Sequence, residues 1–129
     1  MSEPILVIED NEANLELMVY LLRAFGYAAI PARDGEEGLA AAAAKRPALV
    51  LCDVQLPGLD GYGVLRRLKA NPQLRDVPVV AVTALAMSGD RERILEAGFQ
   101  GYLSKPVDPE TFVERLLPYL PGTDRRGQP

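Results

Sequence analysis

The sequence predicts an α/β domain in which a parallel sheet carries helices on both faces. Three observations lead there. Short apolar runs recur at the length expected of strands buried on both faces. Segments with apolar residues at helical spacing separate these runs. The joining segments are short, and neither a repeat nor a long linker divides the chain. Five strands alternating with five helices through short loops imply right-handed crossovers and strands that all point one way.

Pro4-Ile5-Leu6-Val7-Ile8 is the first strand, and it ends in Glu9-Asp10. Asn11 offers a helix N-cap, Leu15, Met18, Leu21, Leu22 and Phe25 recur at helical spacing, and Gly26 supplies the stop. Tyr27 to Pro31 is a short strand, less apolar, which suits an edge position. Asp34 and Glu37 form an Asp version of a capping box before the alanine-rich run Leu39 to Lys45, which Pro47 ends. Small side chains let that helix pack close to the sheet.

Ala48-Leu49-Val50-Leu51-Cys52 is the third strand, and it delivers Asp53. A loop through Leu56-Pro57-Gly58-Leu59-Asp60-Gly61 leads to a helix with Val64, Leu65 and Leu68, broken at Asn71-Pro72. The fourth strand runs from Val77 to Val82, with Pro78 at its start, and ends in Thr83. A fourth helix is expected from near Ala84 to Gly98, weak over Leu85 to Gly89 and stronger from Asp90 to Glu96. Gly101 to Ser104 is a fifth strand, followed by Lys105-Pro106. Asp108-Pro109-Glu110 predicts a helix start with Pro at the first helical position. Phe112, Val113, Leu116 and Leu117 form that helix's apolar face, and Pro118 limits it. The expected domain covers residues 1–120, with a flexible tail over 121–129.

Composition narrows the function. A chain of 129 residues, 48% apolar and 25% charged, is one globular domain's worth. The net charge of −4 and the scattered Lys and Arg residues argue against direct nucleic-acid binding. Cys52 is the single cysteine, so no disulfide can form within the chain; a buried inert thiol and a cytoplasmic location are expected. The absence of histidine excludes histidine-based catalysis and histidine metal sites, so any metal must be a hard ion held by oxygen. No signal-peptide pattern opens the sequence, and no apolar stretch approaches the length of a membrane span.

In a parallel sheet the C-terminal strand ends share one edge, where ligands bind. Here those ends carry Glu9, Asp10, Asp53, Thr83 and Lys105. Each has an ordinary reading alone. Lys105 could be a surface charge, Thr83 a β-forming residue, and Glu9-Asp10 an acidic pair favoured by a helix dipole. Together, at the ends of four apolar runs, they form a pattern.

That pattern resembles the response-regulator receiver family of two-component signalling, the CheY-like group with a flavodoxin-like fold. The matching motifs are Ile8-Glu9-Asp10-Asn11, Leu51-Cys52-Asp53 through Asp60-Gly61, Val82-Thr83-Ala84 and Ser104-Lys105-Pro106. They span about residues 4–120 and are most similar to single-domain regulators and to the receiver modules of hybrid kinases. The resemblance supplies the strand order 2-1-3-4-5, which brings Glu9, Asp10 and Asp53 together. Crowded carboxylates repel, and Mg²⁺ relieves this while leaving positions for a phosphate oxygen. Lys105, the Thr83 hydroxyl and the N–H of Ala84 at an expected helix start would surround a phosphoryl group on Asp53.

The resemblance further implies that Asp53 takes phosphate from a phosphohistidine on a histidine kinase or histidine phosphotransfer protein. Asp10, Asp53 and the Gln55 backbone carbonyl would hold Mg²⁺, with Glu9 acting through water. Thr83 and Tyr102 would form the switch, and the Lys105–Pro106 bond would be cis. A downstream protein would meet helix four, strand five and helix five; with no output domain after the last helix, the signal would pass by docking. Gln55 and Leu85 occupy positions that tune phosphate lifetime in the family. The expected protein is thus a phosphoacceptor rather than a conventional enzyme, with no membrane partner. The alternative is a Mg²⁺-dependent phosphohydrolase working through an aspartyl phosphate. Gln55, where such enzymes carry a second Asp, and the lack of room for a substrate cap speak against it. A scaffold that only binds partners is disfavoured by the intact acidic set. A dinucleotide-binding reading fails because no glycine-rich loop follows the first strand.

Overall fold

Successive apolar residues along the strands point to opposite faces and divide the interior into two layers, one on each side of the sheet. The computed structural model describes residues 3–85 and 88–120. Strands β1 (Ile5–Ile8), β2 (Ala29–Ala32), β3 (Leu49–Cys52), β4 (Val79–Thr83) and β5 (Gly101–Ser104) lie in the order β2-β1-β3-β4-β5, all neighbours parallel. Ile5, Val7, Leu49, Leu51, Val80 and Val82 face one layer, with α1 (Glu12–Ala24) and α5 (Phe112–Leu116). Leu6, Ile8, Val50, Cys52, Val79 and Ala81 face the other, with α2 (Gly35–Lys45), α3 (Gly61–Ala70) and α4 (Ser88–Ala97). Burial on both faces explains why these strands read as continuous apolar runs. Strand β2 is one of the two sheet edges, where Pro31, lacking an N–H, is tolerated.

The helix starts follow local chemistry. Asn11 Oδ1 accepts from the Asn14 N–H at 2.9 Å, and Asp34 Oδ1 from the Glu37 N–H at 2.8 Å. Glu37 completes its half of the box one residue early, accepting from the Arg33 N–H at 2.8 Å rather than from Asp34. Close helix–sheet approach is real at Gly38, where a Cβ would stand 2.3 Å from Ile8 Cδ1. Asp60 caps α3, its Oδ1 accepting from the Gly63 N–H at 2.9 Å.

The strands shift by a residue or two, β2 to Ala29–Ala32 and β4 to Val79–Thr83, and two expected helix starts move further. The fourth helix begins at Ser88, not near Ala84; Ala84 is an exposed bend. Thr83 Oγ1 faces the Leu85 N–H at 3.5 Å, so the chain turns locally after β4. The last helix begins at Phe112, because Asp108 Oδ1 accepts from the Glu110 N–H at 3.0 Å and closes Asp108-Pro109-Glu110 into a turn. It is short, and a 3-10 turn at Leu117–Tyr119 follows, with Pro118 inside it. The expected tail over 121–129 lies outside the described residues, as do 86 and 87 of the expected weak helix segment.

Candidate functional site

Register decides which side chains meet. Ile8 pairs with Cys52 across β1 and β3, and the Asp53 N–H donates to the Ile8 carbonyl at 3.1 Å. Glu9, Asp10 and Asp53 therefore emerge side by side, each with a carboxylate oxygen within 4.8 Å of the others. Glu9 and Asp53 are buried and Asp10 is exposed. On the far side, Thr83 pairs with Ser104, and the Lys105 N–H donates to the Thr83 carbonyl at 3.0 Å. This ties Lys105 to the end of β4 and turns its side chain toward the acids. The Lys105–Pro106 bond is cis, as the resemblance implied.

Lys105 Nζ lies 2.7 Å from Asp53 Oδ2, a hydrogen-bonded ion pair, and 2.7 Å from Glu9 Oε1. The Gln55 N–H donates to Asp53 Oδ1 at 2.9 Å. The Asn11 N–H donates to Glu9 Oε2 at 3.0 Å. Glu9 Oε1 is buried and takes no directed hydrogen bond, so its contact with Lys105 is one of charge.

The electrostatics refine the expectation of mutual repulsion. Burial is the main reason the Glu9 carboxyl is raised above its ordinary value; Lys105 and the Asn11 N–H work against it, and the repulsion from Asp53 is the least of the causes. Burial alone would lower the Lys105 ammonium, but its hydrogen bond to Asp53 and its close ion pair with Glu9 outweigh this and raise it. The cluster is thus already partly neutralised from within. Burial pushes the Cys52 thiol far up, which makes it an inert core group.

The residue set fits a hard divalent cation: three carboxylates converge, and one buried oxygen lacks a directed donor. Thr83 is fully buried at the end of β4, on the strand beside Lys105. Ala84 follows it, but not at a helix N-terminus, so the helix-start argument for its N–H does not hold. Gln55 is exposed, beside Asp53 on the loop. Tyr102 is half-buried, and its hydroxyl donates to the Leu85 backbone carbonyl; its ring is therefore turned toward the β4–α4 connection.

Two supports were missed in the sequence. Gly61 sits against the backbone at Asp53, a close approach that only its lack of a side chain permits. The Asn11 N–H fixes Glu9 while the Asn11 side chain caps α1. An Asn after an acidic strand end was readable as a cap, but not as a clamp on the acid.

A doubly wound parallel sheet whose strand ends gather an acidic trio, a hydroxyl and a lysine defines a phosphoacceptor protein of the α/β class. The sequence matches the response regulator receiver domain family over residues 5–117, and the chain belongs to that family. It is a receiver domain of two-component signalling. It is similar to the polar-differentiation response regulator DivK of Brucella anthropi, at 44% identity over 120 residues, 93% of this chain and 98% of that one. The receiver domain of the Pseudomonas aeruginosa sensor histidine kinase PA1611, solved with a magnesium ion in its active-site cleft, is 36% identical. It has a TM-score of 0.83 over 92% of this chain and 98% of that one. The chemotaxis protein CheY4 of Vibrio cholerae is 25% identical, with a TM-score of 0.87 over 93% of this chain and all of that one. Among the described residues no helix is long and apolar enough to cross a membrane.

Proposed function

We propose that Asp53 is the phosphoacceptor, taking a phosphoryl group from a phosphohistidine on a histidine kinase or histidine phosphotransfer protein. The observation that carries this is the position of Asp53: buried at a strand end, ion-paired to Lys105 at 2.7 Å and gathered with Glu9 and Asp10. A carboxylate oxygen of Asp53 bonds to phosphorus as the phosphorus–nitrogen bond breaks and its electron pair stays on the ring nitrogen; with the donor ring's other nitrogen protonated, a neutral imidazole leaves and an acyl phosphate forms here. The Gln55 N–H orients the nucleophile through Oδ1. Lys105, with its charge, and Thr83, with its hydroxyl, hold the phosphoryl oxygens.

Glu9, Asp10, Asp53 and the Gln55 carbonyl would hold Mg²⁺. When bound, that ion offsets negative charge on the phosphoryl oxygens. Tyr102 and Thr83 flank the β4–α4 connection, and a change at Thr83 would reach the surface of α4, β5 and α5 through it. A downstream protein reads that surface, and the chain acts as a phosphoacceptor that promotes its own transfer rather than as an enzyme on an outside substrate.

Incubation with radiolabelled acetyl phosphate and Mg²⁺ tests the assignment. Wild-type protein takes label that alkali removes, and Asp53→Asn takes none. Label that survives this change refutes Asp53 as the acceptor.

A further inference from the structure

Helix α1 turns a face to solvent that the phosphoacceptor site does not use. Glu12, Glu16, Tyr20 and Arg23 follow one another at helical spacing and line one side of the helix. Tyr20 is 67% exposed. A lone exposed ring means little, but this one borders a groove of about 350 Å³ between α1 and the edge strand β2. Leu15, Val19 and Pro31 form the groove's apolar lining. Acids stand at one end of the stripe and Arg23 at the other. The helix dipole favours that order, but it does not account for the exposed ring or for the groove beside it. Arg23 is held at its end of the groove, because Nη2 donates to the Ala29 carbonyl at 2.9 Å. That bond uses one of its five N–H groups.

We propose that this face pairs with the same face of a second copy, the two α1 helices running antiparallel about a two-fold axis between Val19 and Tyr20. The order of charge selects this partner. Positions equally far from the axis on either side meet, so Glu16 of each copy stands opposite Arg23 of the other, and Val19 packs on Tyr20. The contact is isologous and closes with two ion pairs. The antiparallel helix dipoles also attract one another. A strand added to β2 is the poorer occupant. Ala28 and Ala32 turn their carbonyls to β1, so alternation turns Pro31 to the open edge, where it has no N–H to offer. One helix face is small for a specific interface, below roughly 1,200 Å² in total, so the pairing is weak and forms at high concentration.

Sedimentation velocity of the full chain, from micromolar to millimolar concentration at low ionic strength, tests this. Wild type passes from monomer to dimer. Glu16→Arg and Arg23→Glu each set like charges across the axis twice, and each raises the dimer dissociation constant by at least about tenfold. An equal mixture of the two variants returns it to the wild-type value, because every facing pair is again of opposite charge. The double variant does the same. Recovery in the mixture cannot come from misfolded protein, and circular dichroism of each variant checks the fold independently. A wild type that stays monomeric overturns the proposal and leaves the face to a different protein or to solvent. A dimer that survives either reversal overturns it by placing the contact elsewhere, and so does a mixture that stays monomeric.

Discussion

Gly61 lies against the backbone at Asp53: a Cβ added to Gly61 would stand 2.5 Å from the Asp53 carbonyl oxygen and 2.6 Å from Val54 Cα. Backbone cannot yield as a flexible side chain can, so Gly61→Ala must displace either the start of α3 or the strand end that carries Asp53. The expected cost is about 1–3 kcal/mol of stability, with slower phosphorylation because the acceptor moves relative to Lys105. Gly58→Ala is the control. Gly58 has φ of +72° and open space around it, so the substitution costs only about 1 kcal/mol through backbone strain. Urea denaturation and labelling of both variants check the contrast.

Tyr102 reaches across to the connection after β4, where its hydroxyl donates to the Leu85 carbonyl. Tyr102→Phe removes that bond and keeps the ring, so stability falls by about 1 kcal/mol. Asp53 does not touch the phenol, so acceptance of phosphate from acetyl phosphate persists. Amide chemical shifts should move around Leu85 and not around Glu9. Loss of labelling in this variant would place Tyr102 in the chemistry rather than beside it.

The pH dependence of stability follows from two raised groups in metal-free solution. Burial by itself lowers Lys105, and its contacts with Asp53 and Glu9 more than reverse this. A cation whose folded pKa is raised stabilises the fold fully below its unfolded value, 10.5, and loses that contribution as pH rises through the folded value. Glu9 has the same sign at lower pH. Burial raises it, so the folded state keeps its proton to higher pH than the unfolded chain, and stability declines as pH climbs from 4.5 through the folded pKa. Urea midpoints measured in EDTA should fall less steeply in strong alkali for Lys105→Met than for wild type. Glu9→Gln should lose the decline that Glu9 causes in acid.

The sheet was legible because it is buried on both sides. Val7 and Leu51 face one layer while Leu6 and Val50 face the other, so hydrophobicity never alternates and the strands stand out. Strand ends located the acids, Thr83 and Lys105, and the order came with the resemblance. Helix boundaries were less legible where a side chain competes with the backbone. Asp108 turns its own chain into a loop before α5, and Thr83 does the same before α4. Least legible was the balance of charge. Counting carboxylates points to repulsion that a metal must relieve, whereas Lys105, distant in sequence, already sits between two of them. Sequence spacing says which groups share an edge, not which of them touch.

The most direct measurement is to find the phosphorylated atom. After treatment with acetyl phosphate and Mg²⁺, borohydride reduces an aspartyl phosphate to homoserine, which peptide mass spectrometry can locate. Homoserine at position 53, and nowhere else, is the predicted result. Homoserine at position 10, or none under conditions where the protein binds Mg²⁺, would contradict it.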